Sequence, residues 1–123
     1  MIKPLPVGVP EPVEPDAALS VVLNMYQRER DTKQLRRPSV AHNACWAFAD
    51  DFTRFARHHG LKADRIVIEW PYLGGEDSDI RARQHFLTRI GDLFVDWTAN
   101  QFSSPDEDAF PIPYVFRDVW AYM

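Results

Sequence analysis

Three residues have side chains that can together carry out nucleophilic catalysis. Cys45 is the only cysteine among the 123 residues, and His85 and Asp96 follow it in that order. A thiolate is a strong nucleophile, an imidazole can accept and return a proton, and a carboxylate holds the imidazole in one tautomer. A single cysteine excludes an internal disulfide and a cysteine-based zinc site. The thiol therefore serves either chemistry or packing as a small buried hydrophobe.

Cys45 falls within a predicted helix. The pattern predicts that Pro38 ends the preceding element and that a new helix runs from about Asn43 to His59, with Gly60 placed to terminate it. Cys45 then lies in the first turn, where free backbone N–H groups and the helix dipole stabilise a thiolate. A broad apolar stripe indicates that this helix packs against a sheet; it comprises Ala44, Phe48, Phe52 and Phe55.

A predicted hairpin brings the other two residues together. Strands over 85–90 and 93–98 are joined at Gly91 and Asp92, a pair typical of tight turns. A two-residue turn pairs Ile90 with Leu93 and, further out, places His85 opposite Thr98. Because side chains alternate between faces, Asp96 becomes a diagonal neighbour of His85. A carboxylate at such an inward position needs a partner, either this histidine or a structural contact.

The remaining pattern predicts one α+β domain over residues 16–123, preceded by a proline-rich extended arm over residues 1–15. Asp16 is a good N-cap for a first helix, whose apolar stripe is Leu19, Val22, Leu23 and Tyr26. The segment Arg65–Trp70 reads as a strand, and the prolines of PIPYVF (111–116) restrict that segment to a sheet edge. The central helix is thus expected to pack on a small antiparallel sheet.

Three features of the sequence resemble those of papain-like cysteine enzymes. They are NACWAFADDF (Asn43–Phe52), the strand that opens at His85, and DWTANQF (Asp96–Phe102). The resemblance is to the small bacterial and phage branch with papain-fold toxins and transglutaminase-like or deamidase domains, and it covers about residues 39–102. It implies a papain-like core in which Cys45 attacks an amide or thioester carbonyl, His85 moves the proton and Asp96 orients His85.

The resemblance departs from papain at the oxyanion hole. Papain carries a glutamine shortly before its cysteine, and this chain has none close before Cys45. Asn43 or Gln101 are the candidate replacements, alongside the Cys45 backbone N–H. Trp46 occupies a position that lies near the site in the resembling families. Each also has a simpler explanation: Asn43 as an N-cap, Trp46 as packing, and Gln101 as an anchor for the following loop.

Composition narrows the function classes. A hydrophobic content of 46% supports a packed core, and a formal net charge of −4 argues against nucleic acid as the main partner. No apolar run is long enough to span a membrane and no secretory signal is evident, so a cytoplasmic protein, or an effector delivered elsewhere, is expected. His42 and Cys45 alone make a poor metal site, and no cofactor is implied.

Two functions remain open from the sequence. The first is a cysteine enzyme (deamidase, amidase, peptidase or acyl transferase) whose substrate is a protein or a small amide. The second is a non-catalytic phage or bacterial module on the same fold that binds a host or partner protein. In the second case Cys45 is buried and unreactive.

Overall fold

The computed structural model describes residues 11–69, 84–102 and 110–117, which form an α+β fold. Two α-helices come first, α1 (Ala17–Glu29) and α2 (Pro38–His58). Four strands follow: β1 (Ala63–Glu69), β2 (Gln84–Ile90), β3 (Leu93–Asp96) and β4 (Tyr114–Arg117). They form one antiparallel sheet in the order β1-β2-β3-β4. Short 3₁₀ segments lie at Lys33–Arg36 and Ala99–Phe102.

Helix α1 matches its prediction in both its start and its buried face. The Asp16 side chain accepts a hydrogen bond from the Leu19 N–H at 2.8 Å, and the four residues of the predicted stripe are all buried. The stripe ends at Tyr26, whose ring meets Phe52 at 5.0 Å and Trp97 at 4.9 Å between ring centroids. Tyr26 thus joins α1 both to α2 and to the segment after β3.

Helix α2 begins earlier than predicted. Its first residue is Pro38 and its N-cap is Arg37, so the prediction that Pro38 ends an element and that the helix starts near Asn43 is wrong. Proline fixes φ near the helical value and lacks only an N–H that a first-turn residue leaves unused, so it favours the first position of a helix. The predicted end is confirmed, because Gly60 follows the C-cap His59 with a φ of +89°.

The sheet confirms the predicted turn and limits the predicted register. Ile90 pairs with Leu93 across Gly91 and Asp92, but the ladder between β2 and β3 ends at the pair Thr88–Val95. The expected pairing of His85 with Thr98 is therefore not part of the ladder. Strand β3 ends at Asp96 because the Asp96 side chain captures the N–H of Thr98 and turns the backbone into the 3₁₀ segment.

Strands β1 and β4 form the two edges of this sheet. Strand β4 confirms the edge position predicted for 111–116, and β1 begins two residues before the predicted Arg65. Polar contacts fix α2 over β2: the hydroxyls of Thr53 and Thr88 are 2.8 Å apart, and Thr88 also donates to the carbonyl of Ala49 at 3.4 Å. These contacts position the helix that carries Cys45.

Part of the predicted arm lies against the domain. The Val13 N–H donates to the Val115 carbonyl at 2.8 Å, so this stretch runs beside the β4 edge. Residues 1–10, the predicted loop around Gly74 and Gly75, residues 103–109 and the C-terminal 118–123 lie outside the described residues. Neither helix of the described ranges combines the length and apolar character needed to cross a bilayer.

Candidate active site

His85 and Asp96 form a buried pair between β2 and β3. The imidazole Nε2 lies 2.5 Å from Asp96 Oδ2, and both side chains are fully shielded from solvent. The pair lies beyond the last ladder pair of the two strands, so the side chains bridge the strands where the backbone no longer does. The spatial neighbourhood expected from the hairpin is therefore present, although it is reached by side-chain length and not by continued strand pairing.

Thr98 holds the second oxygen of the same carboxylate. Its backbone N–H donates to Asp96 Oδ1 at 2.9 Å and its hydroxyl donates to that oxygen at 3.4 Å. Oδ1 thus faces Thr98 while Oδ2 faces His85. A carboxylate bound on both sides has little freedom to rotate, so it fixes the orientation of the imidazole.

Cys45 reaches this pair from α2. Its thiol is half-buried and lies near enough to His85 to help raise the pKa of the imidazole. The structure thus brings all three predicted residues into one chain of interactions.

The charge state of His85 follows from these neighbours. Burial acts to lower its pKa, but the Asp96 carboxylate and Cys45 outweigh burial and raise the pKa from 6.5 to about 9. The imidazole is therefore protonated at neutral pH. A protonated imidazole next to a thiol is the setting in which cysteine nucleophiles operate.

The early start of α2 overturns one part of the sequence argument. Cys45 is the eighth residue of the helix, in its third turn, and not in the first turn as predicted. The free N–H groups and the positive end of the helix dipole are therefore too far away to stabilise a thiolate. The Cys45 N–H is itself committed to the carbonyl four residues earlier, at Ala41, so it is not an oxyanion donor either. Electrostatic support for the sulfur comes from His85.

The other predicted site residues have different fates. Trp46 is 52% exposed, so the simple packing role is wrong for it. Asn43 lies inside α2 instead of at its cap, and its side chain lies outside what the structure describes. Gln101 lies in the 3₁₀ segment that packs against α2, and its buried Oε1 has no hydrogen-bond partner among the described residues.

Two residues near the site were not singled out from the sequence. Thr98 follows Asp96 by two positions, and an aspartate side chain often accepts a hydrogen bond from the backbone N–H two residues later. The sequence therefore contained a signal for this contact. Arg65 lies on β1, with its guanidinium 5.0 Å from the Trp46 ring centroid. No periodicity indicates that contact, because it depends on the rotation of α2 over the sheet.

Asp96 also acts on the neighbouring strand β4. Tyr114 is its strand partner in β4, and burial together with the Asp96 charge raises the pKa of Tyr114. Within the described ranges, no group of three or more histidine, cysteine, aspartate or glutamate side chains is arranged to hold a metal ion.

Comparison with known proteins found no match: no protein-family model, no curated protein and no solved structure matches this chain.

Proposed function

We propose that this protein is a cysteine enzyme that acts on an amide or acyl group, with Cys45 as nucleophile, His85 as proton carrier and Asp96 as the residue that orients His85. The observation that carries the proposal is the buried His85–Asp96 pair whose imidazole also engages Cys45. Replacing a buried ion pair as a whole by well-packed apolar side chains is often neutral for stability, so stability alone does not require such a pair. A strongly perturbed histidine between a thiol and a carboxylate therefore favours catalysis over a purely structural role.

The reaction follows from the three groups. The Cys45 sulfur attacks the carbonyl carbon, a C–S bond forms, and the carbonyl electron pair moves onto oxygen. That pair returns as the bond to the leaving group breaks, and protonated His85 supplies the leaving group with a proton. Water or an amine then attacks the thioester, gives a proton to His85 and restores the thiolate. Hydrolysis, deamidation and acyl transfer differ only in the leaving group and in which molecule attacks last.

Gln101 is the proposed oxyanion donor. Its side chain lies on the segment that packs against α2, and its amide oxygen is buried without a partner among the described residues. Rotation of the amide by half a turn exchanges oxygen and NH₂ and presents a donor in the same place. A donor used only when negative charge develops on the substrate is expected to lack a partner in the free protein. Gln101→Ala should reduce acyl transfer about 100-fold.

A papain-like arrangement is part of the proposal. Its support is the order of cysteine, histidine and aspartate along the chain, with the cysteine on a helix and the other two on adjacent strands. The chain departs from a papain-like arrangement in one respect, because Cys45 lies in the third turn of its helix and not at the helix start. Since a lone reactive thiol persists best in a reducing compartment, we place the enzyme in the cytoplasm.

One observation favours the second candidate function, a non-catalytic interaction module. The helix gives Cys45 none of the stabilisation that a first-turn thiolate receives. Under this alternative the Cys45–His85–Asp96 chain only holds α2 to the sheet, and the thiol reacts slowly until the protein unfolds.

Thiol alkylation distinguishes the two functions. Iodoacetamide should label Cys45 rapidly at pH 6–7 in the folded protein, and His85→Gln should slow labelling at least tenfold because the positive partner of the sulfur is lost. His58→Ala is the matched control, since His58 is an exposed histidine at the far end of the same helix. Asp96→Asn nearly preserves side-chain volume and should slow labelling in the same direction. Labelling that needs denaturant, or that is indifferent to His85, would contradict catalysis.

A further inference from the structure

Beside Cys45 lies an exposed surface that the proposed reaction does not use. Among the described residues, three large hydrophobic side chains are strongly exposed: Val21, Trp46 and Val67. Val21 is on α1. Trp46, the residue after Cys45, is connected to Val67 through Arg65 and Phe86. An exposed tryptophan next to a proposed nucleophile is unusual, since tryptophan is normally largely buried or placed where it binds something.

Arg65 holds this surface together. Its guanidinium lies 5.0 Å from the centroid of the Trp46 ring and 5.9 Å from that of Phe86. Phe86 is the cross-strand partner of Val67. These contacts connect four residues, three hydrophobic and one cationic, which we name the Trp46 surface: Trp46, Arg65, Val67 and Phe86. The cation–π contacts fix the Trp46 ring without burying it.

Two arginines share one carboxylate at this surface. Asp50 is shared between two guanidinium groups, with Arg54 at 3.2 Å and Arg65 at 3.6 Å. Among these three side chains, the two positive charges exceed the one negative charge. The Arg65 side chain is 37% exposed and can accept a further anion.

We propose that the Trp46 surface binds the part of a protein substrate next to the acyl group that Cys45 attacks, and that it selects a segment carrying an acidic residue beside an aromatic or aliphatic one. The proposal rests on the proposed function of Cys45. The apolar side chain packs on Trp46 and Val67, and the carboxylate pairs with Arg65 in the place that Asp50 only partly neutralises. Trp46 directly follows Cys45 in α2, so their Cα atoms are about 3.8 Å apart and the surface begins at the backbone next to the nucleophile.

Electrophilic peptides test this selection directly. The probes are two vinyl-sulfone peptides that react with thiols, each with a phenylalanine and differing only in a neighbouring glutamate or lysine. Wild-type Cys45 should react faster with the glutamate peptide by about fivefold at low salt, and this preference should fall as ionic strength rises. Arg65→Gln should abolish the preference, and Trp46→Ala should slow both peptides about fivefold.

Iodoacetamide, which makes no contact with the surface, separates the possible failures. Each peptide rate is divided by the iodoacetamide rate of the same variant, so that a change in the reactivity of the thiol itself cancels and only recognition by the surface remains. Val21→Ala is the matched control, since it removes an equally exposed hydrophobic side chain from α1 and should change no rate. Equal reaction of both peptides, with normal His85-dependent iodoacetamide labelling, would overturn the substrate proposal alone. Loss of the His85 dependence would instead overturn the proposed function.

Discussion

The replacement Asp96→Asn tests the electrostatics of the site in quantitative terms. In the native protein Asp96 is the main group that raises the pKa of His85 from 6.5 to about 9, against burial, which acts to lower it. Asparagine nearly preserves the volume and removes the charge. The pKa of His85 should then fall well below 9, toward or under its ordinary 6.5, because burial is opposed only by Cys45.

The effect on stability follows from the difference between the folded and unfolded pKa values. The rise from 6.5 to about 9 corresponds to about 3 kcal/mol. Since the folded pKa is the higher one, this contribution is fully present below pH 6.5 and is lost as pH rises through 9. Asp96→Asn should therefore lower the free energy of unfolding by about 3 kcal/mol at pH 6 and by clearly less at about pH 10.

Two measurements check this prediction. Urea unfolding followed by tryptophan fluorescence gives the free energy at each pH for both proteins. Histidine side-chain NMR gives the titrations, with His85 assigned by its loss in His85→Gln; the other three of the four histidines, His42, His58 and His59, are exposed. A native His85 that titrates near or below 6.5, or an equal loss of stability at both pH values, would refute the reasoning.

Three further predictions concern the fold and the site. Tyr26→Phe should cost about 1 kcal/mol of unfolding free energy, because the buried hydroxyl donates to Asp51 at 2.7 Å; chemical denaturation measures it, and no loss would show that the bond is idle. Asp16→Ala should cost about 1 kcal/mol through loss of the α1 cap, whereas Asp16→Ser should retain most of the stability; equal losses would contradict capping. Thr88→Val should cost about 1–3 kcal/mol, because the Thr53 hydroxyl loses its partner in the core, and Thr53→Val combined with it should restore part of that loss in a double-mutant cycle.

The sequence predicted those parts of the fold that depend on local chemistry. The α1 cap at Asp16, the end of α2 at Gly60 and the turn at Gly91 each follow from what one side chain, or the absence of one, does to nearby backbone. The edge position of β4 follows from the prolines before it. The buried stripe of α1 follows from spacing alone.

The start of α2 was predicted wrongly because proline is ambiguous. Pro38 interrupts a helix that runs through it and equally favours a helix that begins with it. The choice depends on the backbone before it, where a 3₁₀ segment at Lys33–Arg36 leaves Arg37 extended and ready to act as the N-cap. Because the helix begins at Pro38, Cys45 lies too far from its N-terminus for the helix dipole to stabilise a thiolate, as the sequence had predicted it would.

The site was predictable as far as the hairpin reaches. A two-residue turn makes His85 and Asp96 diagonal neighbours, but their hydrogen bond depends on both side chains reaching across strands that have stopped pairing. The approach of Cys45 to His85 depends on how α2 lies on β2. The contact between Thr53 and Thr88 fixes that packing, and because these residues are far apart in the sequence their spacing does not reveal it. The exposure of Trp46 depends on the same rotation, so spacing could not predict it.

The central claim is that Cys45 forms an acyl-enzyme with the help of His85 and Asp96. Intact-mass spectrometry after brief exposure to p-nitrophenyl acetate tests it most directly, because the ester offers an acyl group that needs no recognition. We predict an acetyl adduct at Cys45 that forms rapidly at pH 7 in the native protein, forms at least tenfold more slowly in His85→Gln and Asp96→Asn, and is absent in Cys45→Ala. An adduct that forms equally fast without His85, or that appears only after unfolding, would contradict the claim.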